Sequence, residues 1–183
     1  TAVLAGDALQ ALAFELAAQT GCSDAGRIAL VAGLARASGA RGMVGGQALD
    51  IAAETAAVPL TLNQITELQA GKTGALIEWA ASAGPAMAGD DAGPLQRYAR
   101  NLGLAFQIAD DILDVEGDAE TVGKAVGKDA GAGKATFVSL LGLEPAKRRA
   151  HELIDAACDA LAVYGDDAET LRDAARFVIA RKS

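Results

Sequence analysis

Asp110, Asp111 and Asp114 fall within the nine residues FQIADDILD (Phe106 to Asp114), and no Lys or Arg stands between Asn101 and Gly123 to neutralise them. On a helix each residue advances about 100°, so with Asp110 at zero Asp114 lies near 40°, Gln107 near 60° and Asp111 near 100°. The polar groups share one arc, while Phe106, Ile108, Ile112, Leu113 and Val115 fall outside it, where they can pack. Carboxylates about 5 to 6 Å apart on neighbouring turns repel by roughly 3 kcal/mol at an effective dielectric near 20, and an ordinary solvated helix relieves this with Lys or Arg at i, i+4. Asp is also a poorer helix former than Glu. A hard divalent cation removes the repulsion, because Mg²⁺ takes one or two carboxylates together with the phosphate oxygens of a substrate. The cluster therefore points to a metal-diphosphate site, against the plainer alternative of a solvated acidic face.

Two basic stretches accompany it. Downstream, ETVGKAVGKDAGAGKATF sets Lys124, Lys128 and Lys134 among glycines with Asp129 between them. Glycine backbone can wrap close to an anion while the ammonium groups neutralise it. Upstream, GKTG (Gly71 to Gly74) invites a nucleotide P-loop reading, but that motif needs Gly where this chain has Thr66, and a strand where the pattern here is helical. The P-loop is rejected. Lys72 and Thr73 can still present an ammonium and a hydroxyl to a phosphate.

The elements that must position these groups are helices. Ala and Leu dominate, Pro and aromatics are sparse, and 51% hydrophobic residues over 183 positions suit one domain with a real core. The spacing of apolar residues predicts helices over Thr1 to Gln19, from an N-cap at Ser23 or Asp24 to Ala37 with Gly39 as the stop, and over Arg41 to Ala57. Thr61 should cap a helix that stops near Gly84, followed by a loop, GPAMAGDDAGP, and a long helix from Leu95 to Glu116. Shorter helices are expected within Ala135 to Leu141, Pro145 to Tyr164 and Asp167 to Arg181. The fold class is all-α, a bundle with short connections.

Composition narrows the chemistry. His151 is the only histidine, which removes Ser-His-Asp and Cys-His mechanisms and His-rich zinc sites. Cys22 and Cys158 are far apart in sequence and indicate no disulfide framework. A net charge of −8 argues against nucleic-acid or anionic-membrane partners. No apolar run reaches the roughly 20 residues of a membrane span and the start has no basic n-region, so a soluble, cytoplasmic protein is expected.

Taken together, GMVGGQALDI (Gly42 to Ile51), KTG, FQIADDILD, and GK followed by KD and GKATF resemble the trans-isoprenyl diphosphate synthases, above all bacterial farnesyl and geranyl diphosphate synthases. The motifs stand in that family's order and span nearly the whole chain. The resemblance implies an isoprenoid-synthase-type helical bundle, usually a homodimer, that joins an allylic diphosphate to isopentenyl diphosphate with Mg²⁺. It implies Asp110, Asp111 and Asp114 as the second aspartate-rich motif and metal ligands, with Asp129 on metal-bound water. Lys72, Lys124 and Lys134 would clamp the allylic diphosphate, and Thr73 and Gln107 would approach the reacting carbons or the diphosphate oxygens. Gln47 and Asp50 would line the cavity, or Asp50 would orient Lys72, or the two would be a buried structural pair. Arg181 and Lys182 resemble basic tails that close over the second diphosphate, against the plainer reading of a frayed terminus.

The chain departs from that pattern in one respect. It holds no first aspartate-rich motif of the DDxxxxD kind and no arginines following one, features that in the family lie upstream of a segment resembling AVLAGDALQALAFELAA, which here begins at Ala2. The expectation is that residues 1–183 are the C-terminal portion of a single prenyltransferase domain, incomplete at the N-terminus and unable to catalyse condensation alone. Two other readings stay open: a longer-chain prenyl synthase or terpene cyclase, and a non-catalytic helical partner subunit.

Overall fold

The computed structural model describes residues 1–122 and 135–181. Among these every regular element is helical: α1 (Ala2–Ala18), α2 (Asp24–Ser38), α3 (Met43–Glu54), α4 (Leu62–Gln69), α5 (Ala75–Ala88), α6 (Gly93–Val122), α7 (Phe137–Leu141), α8 (Leu143–Ala160) and α9 (Glu169–Ala180). A wide π-type turn, Ala70–Gly74, joins α4 to α5, and a 3₁₀ stretch, Ala162–Ala168, joins α8 to α9.

Local chemistry starts several of these helices where expected. The Ser23 hydroxyl accepts the Gly26 N–H at 3.1 Å. Thr61 and Gln64 form a reciprocal capping box, the Thr61 side chain bonding the Gln64 N–H and the Gln64 side chain the Thr61 N–H. Helix ends differ more from expectation. α5 runs through Pro85 to Ala88, where a loop was expected. Proline removes only one N–H near the last turn, and the helix stops where Gly89 adopts φ +78° and the Gly89 and Asp90 N–H groups both reach Pro85 O. α6 begins two residues before Leu95 because the Asp91 carboxylate accepts the Gly93 N–H at 2.9 Å and Pro94 fits a first turn, and it continues past Glu116 to Val122.

The core lies between α6 and α8, closed by α7 and α9. Ile108, Phe137 and Leu161 are fully buried there, beside Tyr98, Ala99, Leu153, Ile154 and Ala175. The Tyr98 hydroxyl donates to Leu171 O at 2.8 Å, tying α6 to the start of α9, and burial pushes its pKa up. α1 is different: it lies against α2, has no buried residue, and turns Val3, Leu4, Leu9 and Leu16 outward. Among the described residues no helix is long and apolar enough to cross a membrane.

Candidate active site

The site grows from a contact between two backbones. α3 crosses the Ala70–Gly74 turn so closely that Gly71 has Gly42 O at 3.2 Å and Gly46 Cα at 3.3 Å from the place a Cβ would occupy. At Gly46 a Cβ would stand 2.1 Å from Lys72 N, so only glycine fits there. One helical turn beyond Gly46, Asp50 is buried at 3% exposure and accepts a hydrogen bond from Lys72 Nζ at 2.6 Å. Asp50 is thus joined to Lys72, the residue that the family resemblance places on the diphosphate.

The π-type turn does the second piece of positioning. An extra residue in a helical turn rotates the side chains that follow it, and such bulges are frequent at functional sites. Here Lys72 faces α3 while the adjacent Thr73 faces α6, where its hydroxyl donates to Gln107 Oε1 at 3.0 Å. Gly103, one turn before Gln107, lets α6 lie against the turn, with Gly74 Cα 3.3 Å from the position of a Cβ. Lys72, Thr73 and Gln107 are each half-buried.

Asp110 lies one turn beyond Gln107 on the same helix and Asp114 one turn further, the first half-buried and the second exposed. Asp110 Oδ1 is paired with the guanidinium of Arg181, which also lies over the Phe106 ring at 4.3 Å from its centroid. Asp111 takes a different partner: its Oδ2 accepts the Phe137 N–H at 2.8 Å and so docks the start of α7 on α6. Asp110 and Asp111 of the motif thus have different partners among the described residues. Asp111 sits about 100° round the helix from Asp110, and among the described residues no group of three Asp, Glu, His or Cys side chains is arranged to hold a metal ion. Lys124, Lys128, Asp129, Lys134 and Lys182 lie outside the described residues.

Sequence reasoning missed two things. The glycine stack of Gly42, Gly46 and Gly71 is signalled by the density of glycines in RGMVGG and AGKTG, but which glycines touch depends on how the helices cross. The other is the pairing of Arg181, read in the sequence as part of a basic tail or a frayed terminus, with Asp110, 71 residues away.

Comparison with known proteins adds to this geometry. A polyprenyl synthetase family profile matches residues 1–170. The chain is 46% identical to the farnesyl diphosphate synthase of Escherichia coli K12 over 98% of its own length and 63% of that protein's. Against the farnesyl diphosphate synthase of Haemophilus influenzae it is 40% identical, covering 100% of this chain and 63% of that one. Among solved structures, an FPP/GFPP synthase from Zymomonas mobilis in its apo form superposes with a TM-score of 0.86 at 48% identity, over 97% of this chain and 60% of that one. A geranyltransferase from Helicobacter pylori, complexed with magnesium and isoprenyl diphosphate, gives 0.75 at 34% identity, over 97% and 59%. The chain therefore spans less than two thirds of the length of these relatives.

Proposed function

The chain belongs to the polyprenyl synthetase family, and on that premise we propose that its residues serve a Mg²⁺-dependent prenyltransferase joining an allylic diphosphate to isopentenyl diphosphate, with farnesyl diphosphate as product. One observation carries the reading: an ammonium, a hydroxyl, an amide and a carboxylate follow one another from Lys72 through Thr73 and Gln107 to Asp110 across adjoining elements. That order suits a substrate whose diphosphate needs cations and whose reacting carbons need none.

Lys72 binds and neutralises the diphosphate, and its charge counts for more as negative charge builds on the departing group. Asp50 holds the Lys72 ammonium in place before substrate arrives, so little reorganisation is needed. Thr73 and Gln107 orient each other and offer the remaining polar contacts. Asp110 and Asp114 are the residues that would hold Mg²⁺. They fit it as hard oxygen donors one turn apart, and Asp110 already accepts a cation in the form of the Arg181 guanidinium. A metal held by Asp110 and Asp114 would supply Lewis-acid neutralisation of the diphosphate leaving group. Asp129, Lys124 and Lys134 belong to the same reading on resemblance alone, as does the placing of all 183 residues in one prenyltransferase domain.

The test is calorimetric. Inorganic diphosphate with Mg²⁺ should bind the 183-residue chain, and Lys72→Ala should weaken binding by about tenfold, the size of one charge-assisted contact. Binding that is absent, or untouched by Lys72→Ala, sinks the proposal. Given Mg²⁺, geranyl diphosphate and isopentenyl diphosphate, these 183 residues by themselves should yield no prenyl product, because the sequence holds no DDxxxxD motif to pair with Asp110 and Asp114.

The reading also takes the enzyme as a cytoplasmic homodimer. Val3, Leu4, Leu9 and Leu16 on α1 are between 58% and 77% exposed, apolar surface of the kind that associates. Light scattering should return twice the monomer mass, and a monomer at micromolar concentration would remove the dimer from the proposal.

A further inference from the structure

Arg181 is the first residue past α9, and its side chain turns back onto α6. Phe106 and Asp110, one turn apart on α6, make a two-point seat for it: the ring lies under the guanidinium at 4.3 Å and the carboxylate takes a terminal nitrogen. The side chain is 19% exposed and the Asp110 side chain 37%. Arg181 also lines, with Ala109, Leu113, Lys147, Val178 and Ile179, a cavity of about 140 Å³, so the end of α9 is held on an incompletely filled surface. Arg181 Nε is buried and makes no hydrogen bond among the described residues. The docked state therefore leaves one donor unsatisfied, which lowers the cost of undocking.

We propose that Arg181 is a resident counter-ion that sets how tightly the Asp110–Asp114 pair takes a divalent cation, guanidinium and metal competing for the Asp110 carboxylate. This rests on the reading of Asp110 and Asp114 as metal-holding residues. With Arg181 seated, two carboxylates one turn apart are partly neutralised without a metal, which resolves the repulsion noted in the sequence. When a divalent cation takes Asp110, the guanidinium loses its charge partner and keeps only the ring. By linkage, whatever factor Arg181 imposes on metal affinity the metal imposes on docking of the tail. Arg181 is thus a positioning residue that acts through Asp110.

The test measures Mn²⁺ affinity of the 183-residue chain by electron paramagnetic resonance, in the wild type and in Arg181→Gln, Phe106→Leu and Arg181→Gln/Asp110→Asn variants. Arg181→Gln should bind Mn²⁺ about fivefold more tightly, the scale of a half-exposed ion pair with a cation–π contact. Phe106→Leu, which loosens the seat and keeps every charge, should give a smaller gain in the same direction. The double variant should lose the gain. A second readout is hydrogen exchange at Val178 to Arg181, which Mn²⁺ should accelerate in the wild type. Equal or weaker Mn²⁺ binding by Arg181→Gln overturns the inference and leaves the metal site standing. No Mn²⁺ binding by either form overturns the metal reading and the inference with it.

Discussion

Gly46→Ala is expected to destabilise the protein by about 3 kcal/mol and lower its thermal midpoint by roughly 6 to 12 °C, a large effect for one methyl group. Propensity alone predicts the opposite sign, since Ala is favoured over Gly inside a helix by about 1 kcal/mol. The contact decides it. An added Cβ would lie 2.1 Å from Lys72 N, 2.6 Å from Lys72 Cα and 2.8 Å from Gly71 C, all main-chain atoms that cannot rotate aside. α3 would have to back away from the Ala70–Gly74 turn. That movement stretches the 2.6 Å Asp50–Lys72 pair, so the variant should lose diphosphate binding along with stability. Gly6→Ala is the control, because Gly6 sits in α1 with nothing within 4 Å of its Cβ position, and the same change there should be neutral or stabilising by up to about 1 kcal/mol. The comparison is read by melting both variants in far-ultraviolet circular dichroism. A Gly46→Ala protein that melts with the wild type would show that the close approach is not as drawn.

This contact also marks where the sequence stopped being legible. Ser23 and Thr61 were readable as helix starts because a cap acts on its own next three residues. The end of α5 was not, because Pro85 reads as a stop, while the actual stop depends on Gly89 adopting a left-handed conformation four residues later. The same division runs through the candidate site. Lys72, Thr73, Gln107 and Asp110 could be picked out by type and spacing. That Thr73 and Gln107, 34 residues apart, bond one another follows from the register of the Ala70–Gly74 turn against α6, for which nothing local codes. The neutralising charge for Asp110 was sought within one helical turn, the range over which side chains on a single helix interact. It arrives instead from the far end of α9, through tertiary packing. Asp111, grouped with its neighbours by sequence, also meets α7, whose Phe137 N–H needs an acceptor.

The difference in partners permits a paired prediction in which two adjacent aspartates fail in opposite ways. Asp110→Asn should weaken Mg²⁺-dependent binding of inorganic diphosphate by about 100-fold, or about 2.7 kcal/mol, the scale of losing one of two charged oxygen ligands. It should barely touch the fold. The ion pair it removes joins side chains that are 19% and 37% exposed, and such pairs contribute up to about 1 kcal/mol. The amide keeps the volume of the carboxylate, and the released guanidinium can reach solvent. Asp111→Ala should do the reverse. It removes the acceptor of the Phe137 N–H at 2.8 Å, beside one of the most completely buried side chains in the core, and should cost about 1 to 3 kcal/mol of stability. Diphosphate binding should stay within a few-fold of the wild type, because Asp110, Asp114 and Lys72 are untouched. Titration calorimetry with Mg²⁺ and inorganic diphosphate, alongside thermal melts, separates the two outcomes. Equal binding losses in both variants would mean that all three aspartates serve the ligand together. A destabilised Asp110→Asn protein that still binds would mean that the Arg181 pair is a structural clamp and that the metal ligands lie elsewhere.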